Sequence, residues 1–465
     1  MKKQISIALI LLLSGCGAFT RSDYQRPLLS QPLHWAQKNA RDSAPRVAPD
    51  RWWSAFNDPR LSGVIDQALT SNNSLADAAL TLQLARNAAG LTNTNLTPDI
   101  GLSGGASNSK NIRHGTPSQE SYNASFTLSY ELDFWGKLAR ARERDAWAAT
   151  ASEQDYLALR LTTIDTAARL YWHIALLRQQ ISNVAASAEI AGQTLEEIRS
   201  WQRAGKVGML DVLQARQTVL SRQNEVRSLR QQLDADRNAL ALLLNRPAGQ
   251  APDEAQALDP RQQIPLSTTT PLSVIAHRPD IQAAEARLRS ALAGYDVSRL
   301  SFYPSLTLNG SLGSAGQAFD QWFNQPVRDI SGALVLPFIQ WNTTRLTVER
   351  ASLQLRQAAV AFRGAAYKAL TEVDDALERR LSAHEQRDRL QASLDISRER
   401  LKLTASRYRA GAVDYQTLLD AQDNTLTLEN ALAQSQFDYL YATLQLWLAQ
   451  GAGDEPTRTT VYAAQ

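Results

Sequence analysis

The sequence has no apolar run of about 18 residues or more, and this absence excludes a polytopic α-helical membrane protein. It has one cysteine among 465 residues, so it cannot form an intrachain disulfide. Neither sign of charge dominates, because 49 basic residues are balanced by 46 acidic residues. Such a balance gives no electrostatic reason to expect nucleic acid as a partner.

Residue patterns typical of enzymes and metal sites are also missing. Met1 and Met209 are the only two methionines, so the sequence has no series of thioether ligands that could pass a soft metal ion along the chain. The five histidines lie far apart and contain no ligand-spaced pair: His34, His114, His173, His277 and His384. We therefore predict that the chain is not an enzyme and uses no cofactor and no metal.

The single cysteine lies at the end of a leader-like segment. A basic n-region and the apolar run from Ile5 to Leu13 precede Leu13-Ser14-Gly15-Cys16. This order predicts a signal peptide over residues 1–15, and its last residues together with Cys16 resemble the lipobox of bacterial lipoproteins. The Cys16 thiol is then the lipidation site and the first residue of the mature chain. Gly17, in place of an aspartate, favours the outer membrane over the inner one.

An internal repeat organises the remaining chain. Arg203-Ala204-Gly205 recurs as Arg409-Ala410-Gly411, at an offset of 206 residues. The same offset carries Pro98 to Pro304 and Trp135 to Trp341. Three unrelated landmarks at one offset indicate two structural copies of roughly 200 residues each.

Each copy contains a segment with strand periodicity. The residues from Tyr122 to Phe134 alternate strictly between apolar and polar side chains, which predicts a strand with one apolar face. Shorter alternating runs lie just upstream and at the corresponding positions of the second copy. The pattern predicts β-hairpins at 98–134 and 304–340, and hence four amphipathic strands in the chain.

The rest of each copy is predicted to be helical at unusual length. Residues 137–204 and 343–410 are runs of 68 residues without proline, and a seven-residue spacing of apolar side chains extends from Val212 to Leu240. This spacing is typical of helices that pack side by side as coiled coils. Shorter helices, predicted over 64–97 and 209–246, together match the length of one long helix.

These patterns divide the chain into six parts. The predicted boundaries are a signal peptide at 1–15, a lipidated N-terminal segment at 16–58, a first repeat at 59–245, a proline-rich irregular connector at 246–278, a second repeat at 279–450 and a C-terminal tail at 451–465. Each repeat ends in a long helical hairpin, with tips near 203–208 and 409–414. The predicted fold class is mainly α with a membrane β-barrel.

Four strands cannot close a membrane barrel, because the smallest barrels have about eight. Strands of about ten residues cross a bilayer only within a closed sheet, so a membrane-spanning chain must share one barrel among several copies. A trimer supplies twelve strands, and a dimer or a tetramer satisfies the same arithmetic. The alternative is that these strands form one face of a soluble sandwich.

Several motifs spread over the mature chain carry a family resemblance. They are the lipobox, Tyr130-Glu131-Leu132-Asp133-Phe134-Trp135-Gly136, Arg278-Pro279-Asp280-Ile281, Phe302-Tyr303-Pro304-Ser305 and the two Arg-Ala-Gly triplets. Together they resemble the TolC-type outer-membrane factor family, and in particular its lipoprotein, NodT-like efflux branch. The resemblance implies a homotrimer with a twelve-stranded outer-membrane barrel and a long periplasmic α-helical tunnel. It also implies two partners, a periplasmic adaptor (membrane fusion protein) and an inner-membrane efflux pump.

Candidate functional residues lie at the tips of the helical hairpins, where this family places its periplasmic closure and its adaptor contact. The candidates for the adaptor contact are Arg203, Ala204, Gly205, Arg409, Ala410 and Gly411, and those for the gate are Asp211, Asp414, Tyr415 and Asp420. In a trimer each inward aspartate becomes a ring of three carboxylates, which favours cations. The alternative for each aspartate is a helix-start cap or a solvated surface residue.

The predicted function is therefore an exit duct in the outer membrane that passively conducts drugs or other small toxic solutes. Two alternatives stay open, namely the exit duct of a type I protein secretion system and a periplasmic scaffold lipoprotein without a pore. The alternating strands argue against the scaffold, which has no use for four strands of membrane length. The sequence does not separate the two kinds of duct, because both share one fold.

Overall fold

The structure is a computed structural model that describes residues 20–29, 49–113, 115, 117–250, 254–255, 257–259 and 276–451. The predicted signal peptide, Cys16, much of the connector and the tail beyond residue 451 lie outside the described residues. Within the described part, no helix is both long enough and apolar enough to cross a membrane.

Seven α-helices of the described residues are used below. They are α1 (Pro59–Ser71), α2 (Asn73–Asn93), α3 (Lys137–Arg203), α4 (Met209–Leu243), α5 (Pro279–Leu300), α6 (Trp341–Arg409) and α7 (Tyr415–Ala449). The two long helices, α3 and α6, have 67 and 69 residues. At about 1.5 Å per residue, each therefore extends for roughly 100 Å.

The sequence prediction of one helix over 64–97 is wrong, because the helix is interrupted at Asn72. Asn72 has an extended backbone (φ −68°, ψ 124°) between α1 and α2. Its side-chain oxygen accepts a hydrogen bond from the Leu75 amide at 3.1 Å, and its side-chain nitrogen donates to the Leu243 carbonyl at 2.9 Å. The asparagine amide thus replaces helical hydrogen bonds with its own, as short polar side chains do at helix ends.

Four strands form a single antiparallel sheet in the order β1-β2-β3-β4. The strands are β1 (Asp99–Ser109), β2 (Gln119–Leu132), β3 (Ser305–Gly316) and β4 (Pro326–Val335). The central β2–β3 pair joins the two sequence copies, and its register runs from Tyr122 opposite Gly316 to Leu132 opposite Leu306. Because side chains alternate along each strand, this register gathers most of the large apolar residues of the four strands on one face, whereas Val327 and Val335 of β4 lie on the other.

The described residues belong to two compact units. The first draws on the described residues within Met1–Leu29, Leu80–Gln154 and Gln282–Ala365, and it contains the four-stranded sheet. The second draws on the described residues within Ser30–Ala79, Asp155–Ile281 and Ala366–Gln465, and it contains the main hydrophobic core.

The core of the second unit is built around aromatic side chains. The Phe56 ring packs edge-on against Trp172 of α3 and Trp447 of α7, with ring centres 4.8 and 5.0 Å apart. Tyr171 is buried in the same cluster, and its hydroxyl donates a hydrogen bond to the Asp58 carboxylate at 2.9 Å. Since a buried large apolar side chain contributes about 1.5–3 kcal/mol, this cluster fixes α1, α3 and α7 to one another.

Candidate functional site

Both helical hairpins turn through the same backbone motif. Gly205 follows α3 and Gly411 follows α6, and each has a left-handed φ of 73°. At the first tip the Lys206 amide donates to the Trp201 carbonyl at 2.9 Å, and at the second the Ala412 amide donates to the Arg407 carbonyl at 2.9 Å. This is a Schellman end, in which glycine takes the left-handed position because it has no Cβ to clash.

The six candidates for the adaptor contact all lie on exposed surface at these two tips. Arg203, Ala204, Gly205, Arg409, Ala410 and Gly411 are exposed in the chain. Arg409 donates from Nε to the Ala405 carbonyl of its own helix at 3.3 Å. The structure thus presents two short Arg-Ala-Gly surfaces of matching backbone conformation.

Two of the three candidate gate aspartates cap helix starts. The Asp414 carboxylate accepts hydrogen bonds from the Thr417 amide at 2.8 Å and from the Thr417 hydroxyl at 2.5 Å. These bonds lower the pKa of Asp414 below its ordinary value, because they stabilise the charged carboxylate. Asp211 accepts from the Gly208 amide at 3.1 Å and so closes the start of α4. Exposed Asp420 accepts from the Gln416 side chain at 2.6 Å.

The two tips pack together through a cluster of buried side chains. This tip cluster consists of Leu195, Ile198, Ala215, Tyr408, Tyr415, Leu418 and Leu419. Gate candidate Tyr415 is therefore a buried residue of the cluster, and its ring centre lies 6.2 Å from that of Tyr408. Burial raises the pKa of Tyr415, so its hydroxyl is neutral at physiological pH.

Tyr408 is a tip residue that the sequence analysis missed. Its ring lies 5.2 Å from that of Trp201, so it connects the end of α6 with the end of α3. Burial, together with the nearby charge of Glu197, raises the pKa of Tyr408 to about 12. The sequence does contain a signal that could have identified Tyr408: it is an aromatic residue just before the second Arg-Ala-Gly triplet, where the first copy has Gln202.

Polar contacts also tie the two hairpins together. Gln214 of α4 donates to Gln416 of α7, and Arg222 of α4 pairs with Asp423 of α7. Farther from the tips, the Asn183 side chain of α3 donates to Asn430 of α7 at 3.1 Å. Separation of the hairpins therefore requires the loss of both apolar and polar contacts.

A second candidate site is the N-terminal strap, residues 20–29, which begins four residues after Cys16. The buried Asp296 carboxylate of α5 accepts from the Ser22 amide at 3.0 Å and from the Ser22 hydroxyl at 2.6 Å. The same carboxylate pairs with Arg140 at 2.9 Å. The Thr20 hydroxyl donates to the Trp135 carbonyl at 2.7 Å, directly beyond the end of β2. The strap is thus held beside the junction of sheet and helix.

The second unit also contains a polar cavity of about 470 Å³, lined by residues that include Asp165, Arg278, Glu372 and Gln445. Gln445 donates to Asp165 at 2.5 Å, and burial raises the pKa of Asp165 above its ordinary value. Arg278 pairs with Glu372 at 2.5 Å. The charges in this cavity are therefore partly neutralised by one another. Among the described residues, no group of three or more histidine, cysteine, aspartate or glutamate side chains is arranged to hold a metal ion.

Comparison with known proteins identifies the family of the chain. The outer membrane efflux protein family model matches it twice, over residues 64–246 and 271–452. The pyoverdine export outer membrane protein OpmQ of Pseudomonas putida is 30% identical and covers 92% of this chain and 94% of its own length. The probable outer membrane lipoprotein SilC of Salmonella typhimurium is 26% identical, over 97% of this chain and 98% of its own.

A solved structure extends the likeness to three dimensions. The open state of the MtrE outer membrane channel of Neisseria gonorrhoeae superposes with a TM-score of 0.81 at 26% identity, covering 93% of this chain and 98% of that one. None of the three related proteins is named as an enzyme. The predicted fold class, outer-membrane location and efflux role are confirmed by these matches. The chain belongs to the outer membrane efflux protein family.

Proposed function

We propose that three copies of the chain assemble into one outer-membrane exit duct, which a periplasmic adaptor and an inner-membrane pump engage to export small solutes. The observation that carries this proposal is the four-stranded sheet, in which the edge strands β1 and β4 each pair on one side only within the described residues. A sheet with two such edges is incomplete in a membrane.

The edges of the sheet favour closure between copies. β1 has 11 residues and β4 has 10, the length that crosses a bilayer when a strand is tilted. Unpaired backbone groups in lipid cost several kcal/mol each, so both edges need partners. The three strand pairs of the sheet are all antiparallel, and joining β4 of one copy to β1 of the next continues that pattern. Three copies then close a barrel of twelve strands.

The helices next to these edges support the same contact. Joining β4 to β1 brings the start of α6 beside α2 of the next copy, because α6 follows β4 and α2 precedes β1. More than half of each side chain is exposed at Leu346, Leu353 and Val360 on α6, and at Leu84 and Leu91 on α2. Their seven-residue spacing is that of a coiled-coil seam. Burial of both stripes at one contact supports a head-to-tail ring.

Cross-linking tests the ring directly. Ser103 of β1 and Ser331 of β4 lie on opposite edges of the sheet and four residues apart along the strands, roughly 19 Å in all at about 4.8 Å per strand spacing and about 3.3 Å per residue. Neither a disulfide nor a short bismaleimide can therefore join them within one copy. We expect Ser103→Cys/Ser331→Cys, treated with a short bismaleimide, to give bands of two and three copies on a denaturing gel. Each single variant is the matched control. A ladder that continues beyond three copies contradicts the trimer.

The proposed cargo is a small solute. The OpmQ relative, named for the export of pyoverdine, matches 92% of this chain, which supports a small-molecule cargo. We assign lipidation to Cys16, because the strap that follows it is held beside the end of β2, where an acyl chain reaches the bilayer.

The hairpin tips are the proposed gate and adaptor site. Asp414 and Asp420 are exposed, so each supplies three carboxylates to a trimeric opening, whereas Tyr415 acts from inside the tip cluster. Asp211 supports the turn of the first hairpin through its cap. The two exposed Arg-Ala-Gly triplets, which share one turn geometry, form the proposed surface for the adaptor.

Current recordings in a planar bilayer test the gate. Asp414→Asn removes the charge but keeps a good capping residue, whereas Asp414→Ala removes both. We expect small cation-selective openings from the native channel, weaker cation selectivity in Asp414→Asn and Asp420→Ala, and longer openings in Asp414→Ala. Asp395→Ala, at an exposed aspartate of α6 away from the tip, is the control. A lipidated oligomer without any conductance contradicts the exit duct.

A further inference from the structure

The apolar face of the sheet carries one cation. The strand register places Arg328 of β4 opposite Leu312 of β3, and Leu312 opposite Phe126 of β2. Phe126 in turn lies opposite Leu102 of β1, so the row contains three large apolar residues and one arginine. Arg328 is the only basic residue on this face within the four strands.

Arg328 is exposed, and none of the salt bridges within the described residues includes it. Its neighbour Asp329 lies on the opposite face, since successive side chains of a strand alternate. The other charged residue of the apolar face, Glu120, lies two strands away and accepts a hydrogen bond from the Tyr122 hydroxyl at 3.1 Å. An arginine on a lipid-facing barrel surface is destabilising, and the penalty falls with its distance from the bilayer midplane. Its position therefore calls for an anionic partner.

Aromatic side chains mark the end of the sheet to which Arg328 belongs. The Tyr122 ring contacts those of Phe319 and Trp322, each with ring centres 5.8 Å apart, and Trp322 stacks on Phe323 at 5.5 Å. This cluster lies at the β3–β4 connection, the end of the sheet away from the helices. Aromatic girdles of this kind lie at the membrane–water interface of barrels. Arg328 is the third residue of β4 from that end, within reach of lipid headgroups.

We propose that Arg328 binds a phosphate group of an anionic lipid in the outer leaflet. The inference rests on the proposed function, because the apolar face contacts lipid only if the sheet forms a barrel. A guanidinium group donates two parallel hydrogen bonds to phosphate, and the weak hydration of arginine makes this pair favourable at an apolar boundary. The aromatic cluster holds the sugar or glycerol region of the same lipid beside the cation.

Lipid binding by the purified, detergent-solubilised oligomer tests the site. The probe is a fluorescent, diphosphorylated lipid A in an uncharged detergent, and the readout is its dissociation constant. We expect Arg328→Gln to weaken binding about tenfold, since one charge-assisted pair is lost, and Arg328→Lys to weaken it less. Arg345→Gln, at an exposed arginine beyond the other end of β4, is the matched control and is expected to leave binding unchanged.

Two further measurements distinguish binding of an anionic lipid from binding of free phosphate and from unspecific binding of lipid. Inorganic phosphate should not displace the probe, and a fluorescent phosphatidylcholine should bind equally to the native protein and to Arg328→Gln. Equal affinity of lipid A for the native protein and Arg328→Gln, or displacement by inorganic phosphate, overturns the inference. Conductance of the same samples in a bilayer is measured in parallel. A conducting protein without Arg328-dependent binding contradicts only the lipid site, whereas loss of all conductance contradicts the exit duct itself.

Discussion

The attachment of the N-terminal strap depends on the Asp296 carboxylate, and Asp296→Ala should release the strap. Asp296 is fully buried and accepts two hydrogen bonds from Ser22, at 3.0 and 2.6 Å. Hydrogen bonds to a charged group contribute about 1.5–3 kcal/mol each, so loss of both weakens strap attachment by about 3 kcal/mol or more. Arg140, 5% exposed, loses one partner but keeps Glu143, which limits the additional cost of an unpaired charge.

Trypsin cleavage after Arg21 reports this release. The Arg21 side chain is exposed, but the Ser22 amide that follows it is bound to Asp296, so the native bond should resist cleavage. When opening is fast, cleavage follows the population of the open strap, and about 3 kcal/mol corresponds to roughly a hundredfold faster cut. Ser22→Ala, which loses one hydroxyl contact, should accelerate cleavage by about tenfold or less. Equal cleavage rates of the native protein and Asp296→Ala would refute the reasoning.

Three further predictions concern stability, each measured by thermal unfolding of the detergent-solubilised protein. Gly411→Ala forces a Cβ into a left-handed turn and should cost about 1–2 kcal/mol, whereas Gly364→Ala, within α6 and in open space, should stabilise by about 0.5–1 kcal/mol. Burial raises the pKa of Asp165, so the folded protein is most stable at low pH and loses stability as pH rises through the raised pKa. The stability of Asp165→Asn should therefore increase relative to that of the native protein between about pH 4 and pH 7. A stability difference that does not change with pH contradicts this prediction. The buried Tyr408 hydroxyl has no hydrogen-bond partner among the described residues, so Tyr408→Phe should be neutral or stabilising, while Tyr171→Phe, which loses the bond to Asp58, should destabilise by about 1.5–3 kcal/mol.

Local periodicity was sufficient to predict the main elements. Alternation from Tyr122 to Phe134 predicted a strand, and the structure has β2 over Gln119–Leu132. The proline-free run at 137–204 predicted a long helix, and α3 spans Lys137–Arg203. These signals are strong because a two-residue or seven-residue period of apolar side chains depends only on neighbouring residues and can be recognised from the sequence itself.

Features that depend on contacts distant in sequence were not predictable. The break at Asn72 arises partly from its hydrogen bond to the Leu243 carbonyl, which lies 171 residues away. The burial of Asp296 depends on Ser22 and Arg140, and no local pattern distinguishes it from a surface aspartate. Tyr408 is next to the second Arg-Ala-Gly triplet in sequence, but its burial depends on contact with Trp201 of the other hairpin. The capping roles of Asp211 and Asp414 were foreseen as one alternative to a gate role, and the two roles are compatible.

The pairing of β2 with β3 also constrains how the chain reaches its native state. Leu132 and Leu306 are opposite each other in the sheet but 174 residues apart in sequence. Such non-local contacts form slowly, because the entropy of closing the loop is lost before the contact is gained. Until the second copy has been synthesised and exported, the first hairpin has no neighbour for β2, and its apolar face remains uncovered in an aqueous compartment. The four-stranded sheet is therefore completed late, only after both copies of the repeat are present in the same compartment.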